Sequence, residues 1–216
     1  MNKRLFLTTF IGFFAMICCK VSGQELSKDM QAVYDACVKM SISIGTGSQT
    51  GLQAANTAFK KCDTKDFSSL RCMDHEPLSL DGHFVFDEVF VDSLIAGRNV
   101  YKFAQRYASN RTVRGASSSG KIFSKTGAVR KSSCVKYSFA SRGRQELAVV
   151  AESGGLITLR VYDKTHDKWY NDTVDVKKGR PSRILVFNLP ENERSLLEVK
   201  IINTTQNDIS FVVISN

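Results

Sequence analysis

The sequence predicts an α+β protein, with a short helical N-terminal region followed by an antiparallel, jelly-roll-like all-β sandwich. Three observations predict it. Apolar residues recur at three- and four-residue spacing between residues 25 and 62. From about residue 120 the period changes to two. Eight apolar segments then begin at roughly ten-residue intervals, separated by polar and glycine-containing turns. The composition, 216 residues with 43% hydrophobic, 24% charged and only 3 Pro, is that of a globular chain. It excludes disordered, collagen-like and polytopic membrane classes. The expected division is 1–23, 24–117 and 118–216.

Residues 1–23 read as a secretory signal peptide. Lys3 and Arg4 form a positive start, Leu5 to Cys19 is an apolar run, and Val21 and Gly23 occupy the −3 and −1 positions of a cleavage site. The run is short for a membrane span and ends in Lys20. Lipidation at Cys18 or Cys19 fits less well, because Ile17 or Cys18 would stand where a small residue is expected. The protein is thus expected to be exported, periplasmic or extracellular, with no transmembrane segment after cleavage. Removal leaves 193 residues, a net charge of +6 and four of the six Cys.

Leu26, Met30, Val33, Tyr34 and Cys37 form one apolar face of a helix over 25–43, with Ser27 placed to cap it. IGTGSQTG breaks that helix, and Leu52, Ala55, Phe59 and Cys62 mark a second over 51–62. Cys37 and Cys62 lie on faces that should meet, so a disulfide between them is expected; a loop of this size would stabilise by roughly 3 kcal/mol. Composition alone leaves all three pairings of the four Cys open. HFVF (83–86) suggests a short strand. Asp87 can cap a helix over EVFVDSLIA, which Gly97 ends. NVYKFAQRYA suggests a further helix with Val100, Phe103, Ala104 and Tyr107 inward and Arg98, Lys102 and Arg106 along the opposite face.

The eight strand segments are KIFS, CVKYSFA, ELAVVAE, LITLRVYD, KWYNDTVDV, RILVFNL, LLEVKIIN and ISFVVIS. Val135/Tyr137/Phe139, Ile157/Leu159/Val161 and Leu197/Val199/Ile201 alternate clearly and should face the core. Trp169, the only Trp, starts a strand beside Tyr170 and is expected to fill that core, although such aromatics can also stack on sugars. The stretch YSFASRGRQELAVVAESGGLITLRVYDKTHDKWYND resembles the β-sandwich accessory domains of bacterial exported proteins, of the pre-peptidase C-terminal type. The resemblance covers about 134–216 and implies a non-catalytic module. Where those domains carry an acidic stretch before the "YD" strand, Gly154, Gly155 and Leu156 stand here, which argues against a calcium role. The signal peptide ending before Gln24 likewise resembles exported proteins of Bacteroides-type bacteria.

No convincing catalytic constellation is legible, and neither a cofactor nor a metal is expected. GASSSGK (115–121) lacks the Ser or Thr after Lys that a phosphate loop needs, since Ile122 stands there. Cys134, with Arg142 and Arg144 after it and His75 and His83 before it, resembles a sortase-like set, but SerSerCys lacks the apolar lead-in of that motif. An enzyme would use Cys134 as transpeptidase or hydrolase nucleophile. Cys62, Cys72, Asp74 and His75 are too loosely spaced for a zinc site. Asp92-Ser93-Leu94 and Asp172-Thr173-Val174 resemble a short bacterial O-glycosylation pattern.

The most informative stretch is 93–145, which holds 12 Lys or Arg and no acid, whereas the rest of the exported chain sums to −6. Such segregation steers anionic partners. The leading expectation is a non-enzymatic binding module for an anionic glycan or envelope component, first contacted by Arg98, Lys102, Arg106, Arg111 and Arg114. An envelope protein–protein interaction role is the alternative. Export makes nucleic acid a poor fit.

Overall fold

A computed structural model describes residues 25–74, 76–109, 122–171 and 179–216. The signal segment, His75, Arg111, Arg114, the GASSSGK loop and the 172–174 glycosylation pattern lie outside the described residues.

Helix α1 (Lys28–Gly45) and helix α2 (Gln49–Lys61) follow the two apolar stripes. Met30, Val33, Cys37 and Met40 of α1, and Leu52, Ala55 and Phe59 of α2, are buried. Ser27 stands at the N-cap of α1, but its side chain does not cap. Its backbone N–H and its hydroxyl both donate instead to Glu146 Oε2, each at 2.8 Å, tying the helix to a distant strand. Helix α3 (Glu88–Ile95) is capped as expected: Asp87 accepts from the N–H groups of Val89 and Phe90. Gly97, at φ +74°, ends it. The next segment is a 3-10 turn at Tyr101–Phe103 running into helix α4 (Ala104–Ser109).

Strands β1 (Thr64–Asp66) and β2 (Arg71–Cys72) come from the N-terminal region. The eight expected segments form β3 (Ile122–Val129), β4 (Cys134–Ser141), β5 (Arg144–Ala151), β6 (Ile157–Asp163), β7 (Lys168–Asn171), β8 (Ser182–Asn188), β9 (Ser195–Asn203) and β10 (Ile209–Ser215). They build two five-stranded sheets, β1-β3-β10-β5-β8 and β2-β4-β9-β6-β7. All pairs are antiparallel except β1 with β3. The pairings are nested: β6 with β7, β5 with β8, β4 with β9 and β3 with β10.

Two apolar cores result. One lies between the sheets and joins Leu147, Val149, Phe211 and Val213 to Leu159, Val161, Val199 and Ile201. The other lies between the helices and the first sheet, and joins Met30, Met40, Phe59, Phe84 and Phe90 to Ala148, Val150, Val212 and Ile214. The order is therefore helices, first sheet, second sheet. Among the described residues, the helix-side core contains none from the second sheet.

Several expectations are corrected. Cys37, Cys62, Cys72 and Cys134 are all thiols, so no disulfide joins Cys37 to Cys62. Cys37 is buried within α1, whereas Cys62 is the C-cap of α2 and its thiol donates to the Ala58 carbonyl oxygen at 3.3 Å. HFVF is not a strand; Phe84, Val85 and Phe86 are a buried link in the helical layer. Phe103 points outward, 48% exposed, because the 3-10 turn changes the phase that a continuous helix would have kept. Trp169 is also outside the core, at 45% exposure.

Candidate binding face on the second sheet

The strand β9 alternates throughout, and β4 and β6 alternate apart from the end of β4 and the buried Thr158 near the start of β6. Buried Val135, Tyr137 and Phe139, Ile157, Leu159 and Val161, and Leu197, Val199 and Ile201 face the first sheet, as the alternation predicts. Lys136 and Ser138, Arg160 and Tyr162, and Glu198 and Lys200 lie between them, half-exposed on the outer face.

The register aligns these side chains into rows that cross the sheet. Asn171 of β7 pairs with Arg160 of β6, Arg160 with Lys200 of β9, and Lys200 with Lys136 of β4. The neighbouring row runs Trp169, Tyr162, Glu198, Ser138 and Arg71. Three cations from three segments distant in sequence thus stand side by side, next to an aromatic pair.

The aromatic end is ordered by local contacts. The Arg160 guanidinium lies 4.4 Å from the Trp169 ring centroid, and its Nε donates to Asn171 Oδ1 at 3.3 Å. Tyr162 and Trp169 rings are 4.8 Å apart at 34°. The Tyr162 hydroxyl donates to Asp167, and that bond to the carboxylate raises the Tyr162 pKa. Glu198 is the acid within the rows. It pairs with Lys164 at 3.0 Å and stands 4.0 Å from Lys136. Among the described residues, Lys200 has no ion-pair or hydrogen-bond partner for its side chain.

Beside this face, at the end of the β6–β7 hairpin, Asp163, His166 and Ser195 meet. His166 Nδ1 lies 2.8 Å from Asp163 Oδ2 and 3.2 Å from Ser195 Oγ. This is not a nucleophile relay, which needs the acid and the hydroxyl on opposite ring nitrogens. Both contacts use Nδ1, and Ser195 is fully buried. Burial alone would raise the Asp163 pKa; hydrogen bonds from His166, the Thr165 and His166 N–H groups and Ser195 outweigh it and hold the carboxyl below its ordinary value. The group staples a turn in which Asp167 takes a positive φ.

The residues singled out in the sequence fall elsewhere. Arg98, Lys102 and Arg106 are exposed in the helical layer, on the far side of the first sheet from this face. Arg98 follows the end of α3, so the three do not share one continuous helix; Arg106 lies 4.8 Å from the Phe103 ring centroid. Cys134 is half-buried on the outer face of the second sheet, paired with Ile202. Neither His83 nor Arg144 joins it. His83 Nδ1 lies 2.9 Å from Glu152 Oε1, and Arg144 donates to Glu146 Oε1 and to the Glu25 carbonyl oxygen, both on the helical side. Ser93 is buried, which removes it as a glycan acceptor in the folded protein. Among the described residues no cluster of His, Cys, Asp and Glu could hold a metal ion. No described helix is long and apolar enough to cross a membrane.

The face escaped the sequence reading because its residues come from separate strands. The available signal was the polar partner of each apolar alternation: Lys136 and Ser138, Arg160 and Tyr162, Glu198 and Lys200.

No protein-family model matches the chain, and no curated protein matches it. Among solved structures, the chain is similar to PliG of Salmonella Typhimurium, a periplasmic inhibitor of g-type lysozyme (13% identity, 46% of this chain and 89% of that one, TM-score 0.31). It is also similar to the plu4264 protein from Photorhabdus luminescens (21% identity, 48% and 68%, TM-score 0.25). A third is TmCBM61, solved with β-1,4-galactotriose (11% identity, 44% and 88%, TM-score 0.24). These likenesses are too slight to carry a fold or a function across to this chain.

Proposed function

We propose that this chain is an exported, non-enzymatic binding module for an anionic glycan or envelope component, and that it binds on the outer face of the second sheet. The observation that carries this reading is the row Arg160, Lys200 and Lys136 beside the exposed Trp169–Tyr162 pair. Aromatic faces stack on sugar rings, and the adjoining cations answer carboxylate or sulfate groups. The nested pairing of β3 to β10 supports the jelly-roll reading of the fold, in which one long hairpin is rolled into two sheets. The charge pattern of residues 1–23 supports export.

Trp169 is the only Trp, so its fluorescence reports on this face alone. Adding an anionic polysaccharide such as polygalacturonate should shift or quench that emission, and retention on the immobilised polymer should fall steeply with salt. The triple variant K136Q/R160Q/K200Q should lose retention. R98Q/K102Q/R106Q should keep it; loss in that variant alone, with silent Trp fluorescence, moves the site to the helical layer. A wild-type protein that passes unretained at low salt overturns the reading.

A further inference from the structure

Among the described residues two aromatic side chains are exposed, and they lie on opposite layers. Trp169 belongs to the binding face on the second sheet. Phe103 stands in the helical layer, in the 3-10 turn between α3 and α4. Its neighbours fix it there. Val100 and Ala104 are buried in the helical core, and the Tyr101 and Tyr107 rings pack edge-on against Phe90 at 5.5 and 5.4 Å. The Gly82 N–H donates to the Tyr101 carbonyl oxygen at 2.8 Å, the Leu80 N–H to Gln105 Oε1 at 3.0 Å and the Gln105 N–H to Asp81 Oδ1 at 2.9 Å. With the turn held in this way, Phe103 reaches the core only if these contacts break. Cations flank the ring. Arg98, Lys102 and Arg106 are exposed, and the Arg106 guanidinium lies 4.8 Å from the Phe103 centroid. Among the described residues the side chains of Arg98 and Lys102 have no ion-pair or hydrogen-bond partner. In the adjoining segments Asp92 is paired with Lys60 at 2.6 Å, and Asp81 accepts from the Gln105 N–H. Positive charge therefore outweighs negative around the exposed ring.

An apolar ring held in water among cations matches a surface that is anionic outside and apolar just beneath. We propose that this turn docks the protein on an anionic phospholipid bilayer. Phe103 enters the boundary between headgroups and acyl chains, and Arg98, Lys102 and Arg106 meet the lipid phosphates. The long stems of Lys and Arg let their charged ends stay at the phosphates while the ring sits deeper. A soluble polyanion would satisfy the cations and leave Phe103 in water. The proposal does not rest on the glycan reading. Docking through the helical layer turns Trp169, Arg160, Lys200 and Lys136 away from the bilayer, because the first sheet lies between them and the helices.

The test sediments the exported chain, residues 24–216, with vesicles of phosphatidylglycerol and phosphatidylethanolamine, and with vesicles of phosphatidylcholine alone. The anionic vesicles should bind it about tenfold or more tightly, by a margin that shrinks as salt rises. Each cation near such a surface is worth about fivefold, so R98Q/K102Q/R106Q should weaken binding by about a hundredfold. Phe103→Ser should weaken it severalfold. Both variants should melt at the wild-type temperature, because the altered side chains are exposed. K136Q/R160Q/K200Q should bind vesicles as the wild type does. In W169F/F103W the single Trp reports on the turn, and its emission should shift to the blue when anionic vesicles are added. Equal binding to both kinds of vesicle, or binding unchanged in R98Q/K102Q/R106Q, overturns the proposal. So does an unshifted Trp in W169F/F103W together with full binding by Phe103→Ser, since the ring then stays in water. Vesicle binding lost only in K136Q/R160Q/K200Q overturns it by moving the lipid to the sheet face. Retention on an anionic polymer that depends on Arg98, Lys102 and Arg106, with no binding to vesicles, overturns it in favour of a soluble polyanion.

Discussion

At the scale of single residues, Glu152 joins the helical layer to the first sheet. Its carboxylate accepts from the Phe84 N–H at 3.1 Å and the Ser210 N–H at 2.7 Å, and it faces His83 Nδ1 at 2.9 Å. The hydrogen bond to Glu152 raises the His83 pKa; partial burial opposes this, and the Glu152 and Asp208 charges add to the rise. A folded-state pKa above the unfolded one makes the contribution to stability full below the unfolded value, about 6.5, and lost as pH rises through the folded value. His83→Gln should therefore cost about 1 kcal/mol at mildly acidic pH and progressively less in alkaline buffer. Urea melts of both proteins across pH would show this; a cost independent of pH would show that the charged pair contributes nothing. Trp169 yields a second prediction at this scale. Its side chain is 45% exposed, so emission should be red-shifted and strongly quenched by iodide, which the adjoining cations attract. Blue, iodide-resistant emission would return Trp169 to the core that its sequence context suggested.

Among the elements, the contrast between strand types is decisive. The strands β5 and β10 are almost uninterrupted apolar runs, with LAVVA and FVVI buried on both faces because helices cover one side and the second sheet the other. The strands β4, β6 and β9 alternate because one of their faces meets solvent. This difference is legible in the residues. β1 and β2 were not legible: TKD and RC are too short to show any period, and only pairing with β3 and β4 makes them strands. HFVF misled for the opposite reason, since burial in a helical layer and burial in a sheet demand the same apolar side chains. Within β3, Gly127 is the register partner of Phe211, and a Cβ there would stand 2.9 Å from Phe211 Cζ and against the Tyr137 hydroxyl. Gly127→Ala should destabilise by about 1–3 kcal/mol through overpacking between the sheets. An unchanged melting temperature would mean that the aromatic pair can yield.

For the whole molecule, the two cores are not independent. Leu147, Val149, Phe211 and Val213 serve the inter-sheet core, while Ala148, Val150, Val212 and Ile214, alternating with them on the same strands, serve the helical core. Polar ties repeat the link: Ser27 to Glu146, Ser41 Oγ to the Ala151 carbonyl oxygen at 2.8 Å, and Tyr34 with Ser182 at 2.7 Å. Losing the helices would expose both apolar strands. Thermal unfolding should therefore be one cooperative transition, with far-ultraviolet circular dichroism and the emission of Trp169, on the opposite layer, changing together. Two separated transitions would show that the two sheets stand without the helices. The same layering separates the cations: those of the helical layer and those of Arg160, Lys200 and Lys136 face away from each other. The acid-free stretch 93–145 is therefore not one surface, although it was the strongest charge signal in the sequence.

The amino-acid order by itself determined the α+β class, the two N-terminal helices, the Asp87 cap, the eight strand segments and the inward sides of β4, β6 and β9, because each depends on period or chemistry within about ten neighbouring residues. Tertiary structure alone decided that the helices cover the first sheet, that Trp169 faces outward, that the four cysteines remain thiols and that Lys136, Arg160 and Lys200 form a row. The physical reason is that a row across a sheet is made by register. Register is settled between segments distant in the chain, by which apolar faces must be buried together, and no local pattern records it.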